Sequence, residues 1–223
     1  MKRNLPQEAI ILLIAVLLVL KCFYQLRAIP MIGNYLSTYS AILLIYAPVL
    51  HLTLRGEGRR DPLLWFERSK ADLMGSLRLF GLTVLLIFPP FLVFSHWYQK
   101  IFFNLSFSPA SFEALGTVTL TQLFLVALPE EFFFRGYLQG LLAERFPKKI
   151  SCLGLSLSQG ALVTCLLFAF SHSIIALQWW HFSIFFPSLV FAWLREQRQT
   201  ITASILFHAF SNLVIAWIGM SYQ

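Results

Sequence analysis

The sequence has 223 residues, of which 58% are hydrophobic and only 12% are charged, and its mean hydropathy is +0.72. Soluble domains carry about a quarter charged residues, so the composition excludes an ordinary soluble domain and indicates one compact integral membrane protein. The net charge of +7 does not indicate nucleic-acid binding, because the basic residues cluster in short loops between apolar runs, where orientation signals lie.

Seven apolar stretches are each long enough to cross a bilayer, which requires about 20 residues. They predict an all-α, polytopic membrane protein with about seven transmembrane helices. The stretches cover residues 7–26, 31–54, 77–97, 116–142, 153–172, 174–194 and 200–220. We divide the chain into N-terminal transmembrane helices, 1–114, and a core of the last four helices, 115–223.

Loop charges predict the orientation of these helices. Basic residues are concentrated in the segments 55–70 and 143–150, whereas the connections at the other end of the helices carry few. The positive-inside rule then places the N-terminus in the cytoplasm. Lys21 and Arg27 conflict with this assignment, because it places them on the outer side.

The segment 61–75, with the sequence DPLLWFERSKADLMG, is too polar for a transmembrane helix. It opens with Asp-Pro, which is typical of a helix start, and then mixes leucines and aromatic residues with charged ones. This mixture predicts a cytoplasmic amphipathic helix at the membrane surface. A solvated linker is the alternative interpretation.

The fourth stretch contains two carboxylates and an arginine, although a charge at the centre of a membrane helix costs at least about 2.5–3.5 kcal/mol. Glu131 and Arg135 are four residues apart, so they share a helix face and can form an ion pair. Glu130 lies about 100° around the helix and remains as the spare carboxylate. Pro129 has no N–H and is expected to loosen the preceding turn, leaving room for water.

Two later stretches each contain a histidine with a partner one turn away. Phe168 precedes His172, and His208 precedes Asn212. Because polar groups buried in lipid must satisfy one another, we expect Glu130, His172, His208 and Asn212 to meet around a wet cavity. The other three histidines lack such spacing and are assigned to interface or packing positions: His51, His96 and His181.

These side chains have the chemistry needed for peptide-bond hydrolysis without a covalent intermediate. Glu130 and His172 could bind and deprotonate a water, while His208 and Asn212 could donate hydrogen bonds to an oxyanion. Glu130, His172 and His208 could also hold zinc, but the HExxH motif is absent and each histidine comes from a different helix, so metal is not favoured. A transporter, a proton relay and a structural or binding network remain alternatives.

Three motifs, EEFFFRG, FAFSH and HAFSN, follow one another on separate stretches. Together they resemble the family of CAAX proteases and bacteriocin-processing enzymes, intramembrane endopeptidases related to the Ras-converting-enzyme-like proteases. The resemblance covers about residues 115–220 and leaves the first three stretches without a motif. The positions that match the family pattern are Glu130, Glu131, Arg135, Phe168, His172, His208 and Asn212.

The resemblance implies a glutamate-type hydrolysis without a metal. Glu130 would act as the base and His172 would help to activate the water. His208 and Asn212 would form the oxyanion site. Structural support would come from Glu131, Arg135 and Phe168.

We therefore expect an intramembrane protease of a bacterial inner membrane. It would hydrolyse a peptide bond in a membrane-embedded or lipid-modified protein tail or in an exported peptide, and it would bind no nucleic acid and need no cofactor. The alternative is a membrane protein that binds a peptide without cleaving it, as in bacteriocin immunity.

Overall fold

The computed structural model describes residues 4–57, 61–152 and 154–223. Arg59 and Arg60 of the basic segment 55–70 lie outside these ranges. The described residues form seven helices, and this confirms the predicted all-α, polytopic architecture. The helices are α1 (Leu5–Leu26), α2 (Pro30–Leu54), α3 (Lys70–Phe103), α4 (116–145), α5 (Gln159–Ala176), α6 (Phe185–Arg198) and α7 (Thr202–Ser221).

Helix α4 is continuous but not uniform. Two π-helical segments, Gln122–Ala127 and Phe132–Leu138, flank a short α-helical turn, Leu128–Glu131. Pro129 lies in the first residues of this turn and has no N–H to donate to the turn before it, which fits the wider geometry there. π segments inside α-helices are rare and are frequently found at functional sites.

Among the described residues, five helical segments are long and apolar enough to cross a membrane: Leu5–Leu26, Tyr35–Leu54, Lys70–Phe103, Gln159–Ala176 and Thr202–Ser221. The predicted sixth stretch, 174–194, is wrong in its bounds. Helix α5 continues to Ala176, and Leu177 then reverses the chain with a φ of 53°. A 3₁₀ segment, Trp179–Ile184, follows, so α6 has only 14 residues.

A β-hairpin that the sequence interpretation missed lies between α4 and α5. Strand β1 (Lys149–Cys152) pairs antiparallel with β2 (Leu155–Ser158) through a turn at Gly154, whose φ is +80°. The predicted fifth stretch therefore starts too early. Apolar and polar residues alternate along both strands, the pattern of a half-exposed ribbon, and Ser158 then caps α5 by accepting a bond from the Ala161 amide.

The predicted amphipathic helix over 61–75 is wrong, because this segment contains two separate helix starts. Asp61 caps a 3₁₀ turn, Pro62–Trp65, whereas Ser69 caps α3. Trp65 is buried and packs edge-on against Phe132. The first structured part of the segment is thus attached to α4 rather than lying free on the membrane surface.

The hydrophobic core is centred on the second π segment of α4, Phe132–Leu138, in which every residue is buried. Phe168, Phe191 and Phe207 pack around it from α5, α6 and α7. Leu13 of α1 belongs to the same cluster. The division into 1–114 and 115–223 stays a prediction about sequence organisation, and the core extends across that boundary.

Candidate active site

A fully buried ion pair connects the central turn of α4 to its second π segment. Arg135 Nε is 3.3 Å from Glu131 Oε2, and both side chains have zero exposure. The Arg135 guanidinium also donates a 3.0 Å hydrogen bond to Ser188 Oγ on α6 and lies over the rings of Phe168 and Phe191. The expected pairing is present, and Arg135 additionally joins α4 to α6.

Glu131 has a second partner that the sequence interpretation did not include. Its Oε1 lies 3.0 Å from Nδ1 of His208 on α7. Because Glu131 is ion-paired with Arg135, its carboxylate accepts the hydrogen bond and His208 donates from Nδ1. This bond turns His208 Nε2 towards Glu130, whose Oε2 is 3.9 Å away.

His172 is held by the backbone of its own helix. Its Nδ1 lies 2.9 Å from the carbonyl oxygen of Phe168, one turn earlier. A carbonyl only accepts hydrogen bonds, so Nδ1 carries the hydrogen and Nε2 of the neutral ring has a free lone pair. That Nε2 lies 3.6 Å from Glu130 Oε2, and the Phe168 ring packs 4.5 Å from the imidazole.

Glu130 is the meeting point of the site. Side chains from α4, α5 and α7 converge here, as expected, with both imidazole Nε2 atoms facing Glu130 Oε2. This oxygen is buried and has no hydrogen-bond partner among the described residues. Both imidazole distances exceed a direct hydrogen bond. A carboxylate oxygen and an imidazole lone pair that face each other are suited to accept the two hydrogens of one water.

Asn212 is placed less directly than expected. It lies one turn after His208 on α7, but its Nδ2 donates a 2.8 Å bond to Gln122 Oε1, at the start of the first π segment of α4. The sequence interpretation missed Gln122, although a lone amide in an apolar stretch is a detectable signal. An amide nitrogen carries two hydrogens, so Asn212 retains one donor after bonding Gln122.

Two residues of α6 complete the site and carried no motif. Phe191 stacks on His208 at 4.7 Å with an interplanar angle of 14°. Ser188 accepts from Arg135 through its hydroxyl, and its carbonyl accepts from Cys165. Ser188 and Phe191 are three residues apart, so they lie on one face of α6. This spacing is the signal in the sequence that could have indicated their shared position.

A cleft of about 440 Å³ leads to Glu130 and His172. Most of its remaining lining comes from α1 and α2, two helices that contain none of the three motifs. His181, which was assigned to an interface or packing position, also lines this cleft. The lining residues are Leu20, Phe23, Tyr24, Arg27, Gly33, Leu36, Ser37, Ser40, Leu44, Leu125, Glu130, His172, Ile175, Ala176 and His181.

A separate polar network attaches α1 and α2 to α4. Tyr137 Oη lies 2.9 Å from His51 Nδ1, and His51 Nε2 lies 3.2 Å from Glu8 Oε2. Arg55 Nε is 2.9 Å from the same Glu8 oxygen. His51, which was assigned to an interface or packing position, therefore bonds residues of two other helices.

Within the ranges that the structure describes, no group of three histidine, cysteine, aspartate or glutamate side chains has an arrangement that could hold a metal ion.

Comparison with known proteins gives one match. Residues 112–214, just under half of the chain, match the family model described as type II CAAX prenyl endopeptidase Rce1-like. The matched range contains all three motifs and both histidines that face Glu130. No curated protein and no solved structure matches the chain.

Proposed function

We propose that this chain, whose residues 112–214 belong to the Rce1-like family of type II CAAX prenyl endopeptidases, cleaves its substrate with a water activated by Glu130 and His172. The family supports an intramembrane endopeptidase of the CAAX type. The observation that carries the finer proposal is the buried Glu130 Oε2, which faces His172 Nε2 at 3.6 Å.

The first step is the attack of water. A water donates one hydrogen to Glu130 Oε2 and the other to His172 Nε2. As its oxygen bonds to the carbonyl carbon of the substrate, Glu130 takes the proton, so the carbonyl becomes a tetrahedral oxyanion and Glu130 becomes neutral. The Phe168 carbonyl fixes the acceptor atom of His172 throughout this step.

The second step is the breakdown of the intermediate. The oxyanion accepts hydrogen bonds from His208 Nε2 and from the free N–H of Asn212. His208 donates at Nε2 when both of its ring nitrogens carry hydrogens, and Nδ1 then still donates to Glu131 Oε1. Glu130 then returns its proton to the departing amide nitrogen. The carbon–nitrogen bond breaks, and an acid and an amine are released.

The substrate that fits this site is a protein tail or exported peptide that is embedded in the membrane or modified by lipid. The cleft leading to Glu130 is lined mainly by apolar residues of α1 and α2, which suits a segment that arrives from the bilayer rather than from water. No nucleic acid is involved.

The mechanism needs no metal. If it did require one, Glu130, His172 and His208 would be the ligands. Incubation with a strong zinc chelator, followed by gel filtration, tests this point. We expect full cleavage activity after the treatment. Activity that disappears and returns only with added Zn²⁺ would contradict the metal-free mechanism.

The main test compares the protein termini in membranes of cells that carry either the native protein or Glu130→Gln. Terminal-peptide mass spectrometry should find a tail or leader that is cut only with the native protein. Removing a general base reduces hydrolysis by roughly 10²–10⁴-fold. Equal termini with both proteins inserted would instead favour a protein that binds a peptide without cleaving it.

We also propose that the protein lies in a bacterial inner membrane, with its N-terminus on the cytoplasmic side. Basic residues cluster where α4 ends and where α6 ends, as in Arg145 and Arg198, and the positive-inside rule places this end inside. The cleft residues of α1 and α2 lie at the opposite end, near the α1–α2 turn. The cleft then opens away from the cytoplasm.

Thiol labelling in intact cells tests this orientation. In a variant without native cysteines, Ser37→Cys reports on the cleft and Ser151→Cys on the hairpin at the other end. A membrane-impermeant maleimide should label the first in intact cells and the second only after permeabilisation. The reverse pattern would overturn the proposed orientation.

A further inference from the structure

The end of the cleft beside the α1–α2 turn, called its mouth below, carries a positively charged side chain, Arg27. Arg27 lines it just after the end of α1, and its side chain is exposed. Among the described residues that line the cleft, Glu130 is the only carboxylate, and it belongs to the catalytic group. Within the described part of the chain Arg27 has no ion-pair partner, so its charge is available to a ligand.

The guanidinium of Arg27 is already oriented. Its Cζ lies 3.7 Å from the ring centre of Tyr24, one turn earlier. The backbone is fixed as well, because Gly33 lies so close that an added Cβ would be 2.3 Å from the Arg27 carbonyl oxygen. A guanidinium that stacks on a ring keeps the N–H groups at its edge free. These N–H groups can donate two parallel hydrogen bonds to one carboxylate.

Two helix ends lie near the mouth, and both bear on its charge. Helix α2 begins at Pro30, so the positive end of its dipole lies beside Arg27. The negative end of α5 also reaches the cleft, but Lys21 Nζ covers it by donating to the carbonyls of Ile174 and Ile175 at 3.0 and 2.7 Å. This contact gives Lys21 a structural role at the end of α5, which the positive-inside rule did not predict.

We propose that Arg27 binds the free α-carboxylate of the peptide substrate at the mouth of the cleft. The peptide then runs inward along the apolar sides of α1 and α2 to Glu130. Arg27 is thus a specificity-determining residue that sets the direction of the bound chain. This inference rests on the proposed function.

The test measures binding separately from cleavage. The full chain with Glu130→Gln is placed in nanodiscs of phosphatidylcholine, and the anisotropy of dansyl-trileucine is followed for the free acid and for its C-terminal amide. We expect the acid to bind about tenfold more tightly than the amide, the scale of a charged hydrogen bond at a partly exposed site. Arg27→Gln should abolish this preference, and Arg27→Lys should keep part of it.

Arg145→Gln is the matched control, since it removes one positive charge at the other end of the bundle and should keep the full preference. Equal binding of acid and amide, or an unchanged preference in Arg27→Gln, would overturn the proposal. A lipid-binding role would also overturn it. In that case Arg27→Gln would lower the thermal stability only in phosphatidylglycerol nanodiscs and would leave the peptide preference unchanged, because Arg27 would bind lipid phosphate. The Glu130→Gln background makes these results independent of whether the chain is a protease.

Discussion

Glu131 Oε1 lies 3.0 Å from His208 Nδ1, and this bond connects the two adjacent carboxylates of α4 through a residue of α7. His208 presents its other nitrogen to Glu130. Glu131 is therefore a positioning residue for His208 as well as the counterion of Arg135. Its substitution should affect both the fold and the chemistry, whereas substitution of Glu130 should affect the chemistry alone.

Glu131→Gln should lower the free energy of unfolding by about 3–5 kcal/mol, because it leaves Arg135 buried without a counterion. Its cleavage rate should also fall, since His208 loses its orienting carboxylate. Thermal unfolding and turnover of the purified protein measure the two effects. Glu130→Gln is the control and should unfold at the native temperature, because Glu130 Oε2 has no hydrogen-bond partner among the described residues. A Glu131→Gln variant as stable as the native protein would contradict this assignment.

Gln122→Leu should reduce kcat by about tenfold with little change in KM, because Asn212 loses the acceptor that orients its amide. Gln122→Glu keeps an acceptor oxygen and should recover much of the rate. Steady-state kinetics on a peptide identified from the membrane termini provides the measurement. Thr119→Ala is a nearby control, since the Thr119 hydroxyl donates to the backbone carbonyl of Leu115, one turn earlier. An equal loss in both variants would argue against a specific role for Gln122.

Gly136→Ala should destabilise the protein by about 1–3 kcal/mol through overpacking. A Cβ at this position would lie 2.2 Å from the ring of Trp65, which belongs to the 3₁₀ turn and packs against Phe132 of α4. An added Cβ at Gly140, four residues later, would meet no atom within 4 Å, so Gly140→Ala should be neutral or stabilising by up to about 1 kcal/mol. Unfolding temperatures of the two variants decide the question, and equal values would contradict the close packing at Gly136.

Glu67 should make the stability depend on pH. Burial alone raises the pKa of its carboxyl group, but hydrogen bonds from Ser76, Thr202 and Thr200 outweigh this and hold the pKa below its ordinary value of 4.5. A pKa that is lower in the folded than in the unfolded state adds stability above the unfolded pKa, and this stability is lost as the pH falls through the folded pKa.

Melting temperatures between about pH 6 and pH 3 therefore check the role of Glu67. The native protein should lose stability below about pH 4.5, and Glu67→Gln should be less stable than the native protein at neutral pH and show a smaller decrease on acidification. Glu113→Gln, at an exposed position near the other end of the bundle, should follow the native curve. If Glu67→Gln showed the same dependence of melting temperature on pH as the native protein, a contribution of Glu67 to the pH dependence of stability would be excluded.

The fold was predictable where hydrophobic length alone defines the helix. Helix α7, for example, covers Thr202–Ser221 against a predicted 200–220. The hairpin was missed because its second strand, Leu155–Ser158, continues directly into α5, so that both fall within one predicted stretch, while the first strand, Lys149–Cys152, has only four residues. Helix α6 was misplaced because the reversal at Leu177 uses a left-handed conformation at a residue that does not signal a turn.

The candidate site was predictable to the extent that charged and imidazole groups in lipid must meet. Glu130, His172 and His208 do converge. The bonds of Glu131 to His208 and of Gln122 to Asn212 join residues 77 and 90 positions apart in the chain. No local pattern in the sequence specifies such contacts, and none indicated that α1 and α2 would line the cleft.

The two π segments of α4 also set the phase of the catalytic helix. A π turn contains one more residue than an α turn, and one residue corresponds to about 100° of rotation in an α-helix. The segment Gln122–Ala127 therefore decides which face of the helix carries Glu130 relative to Gln122. Removing a single residue there would allow regular α-helix to form, yet it would rotate Gln122 away from Asn212 or Glu130 away from His172. The chemistry of this helix thus depends on the number of its residues as well as on their identity, and a deletion that conserves every motif could still abolish it.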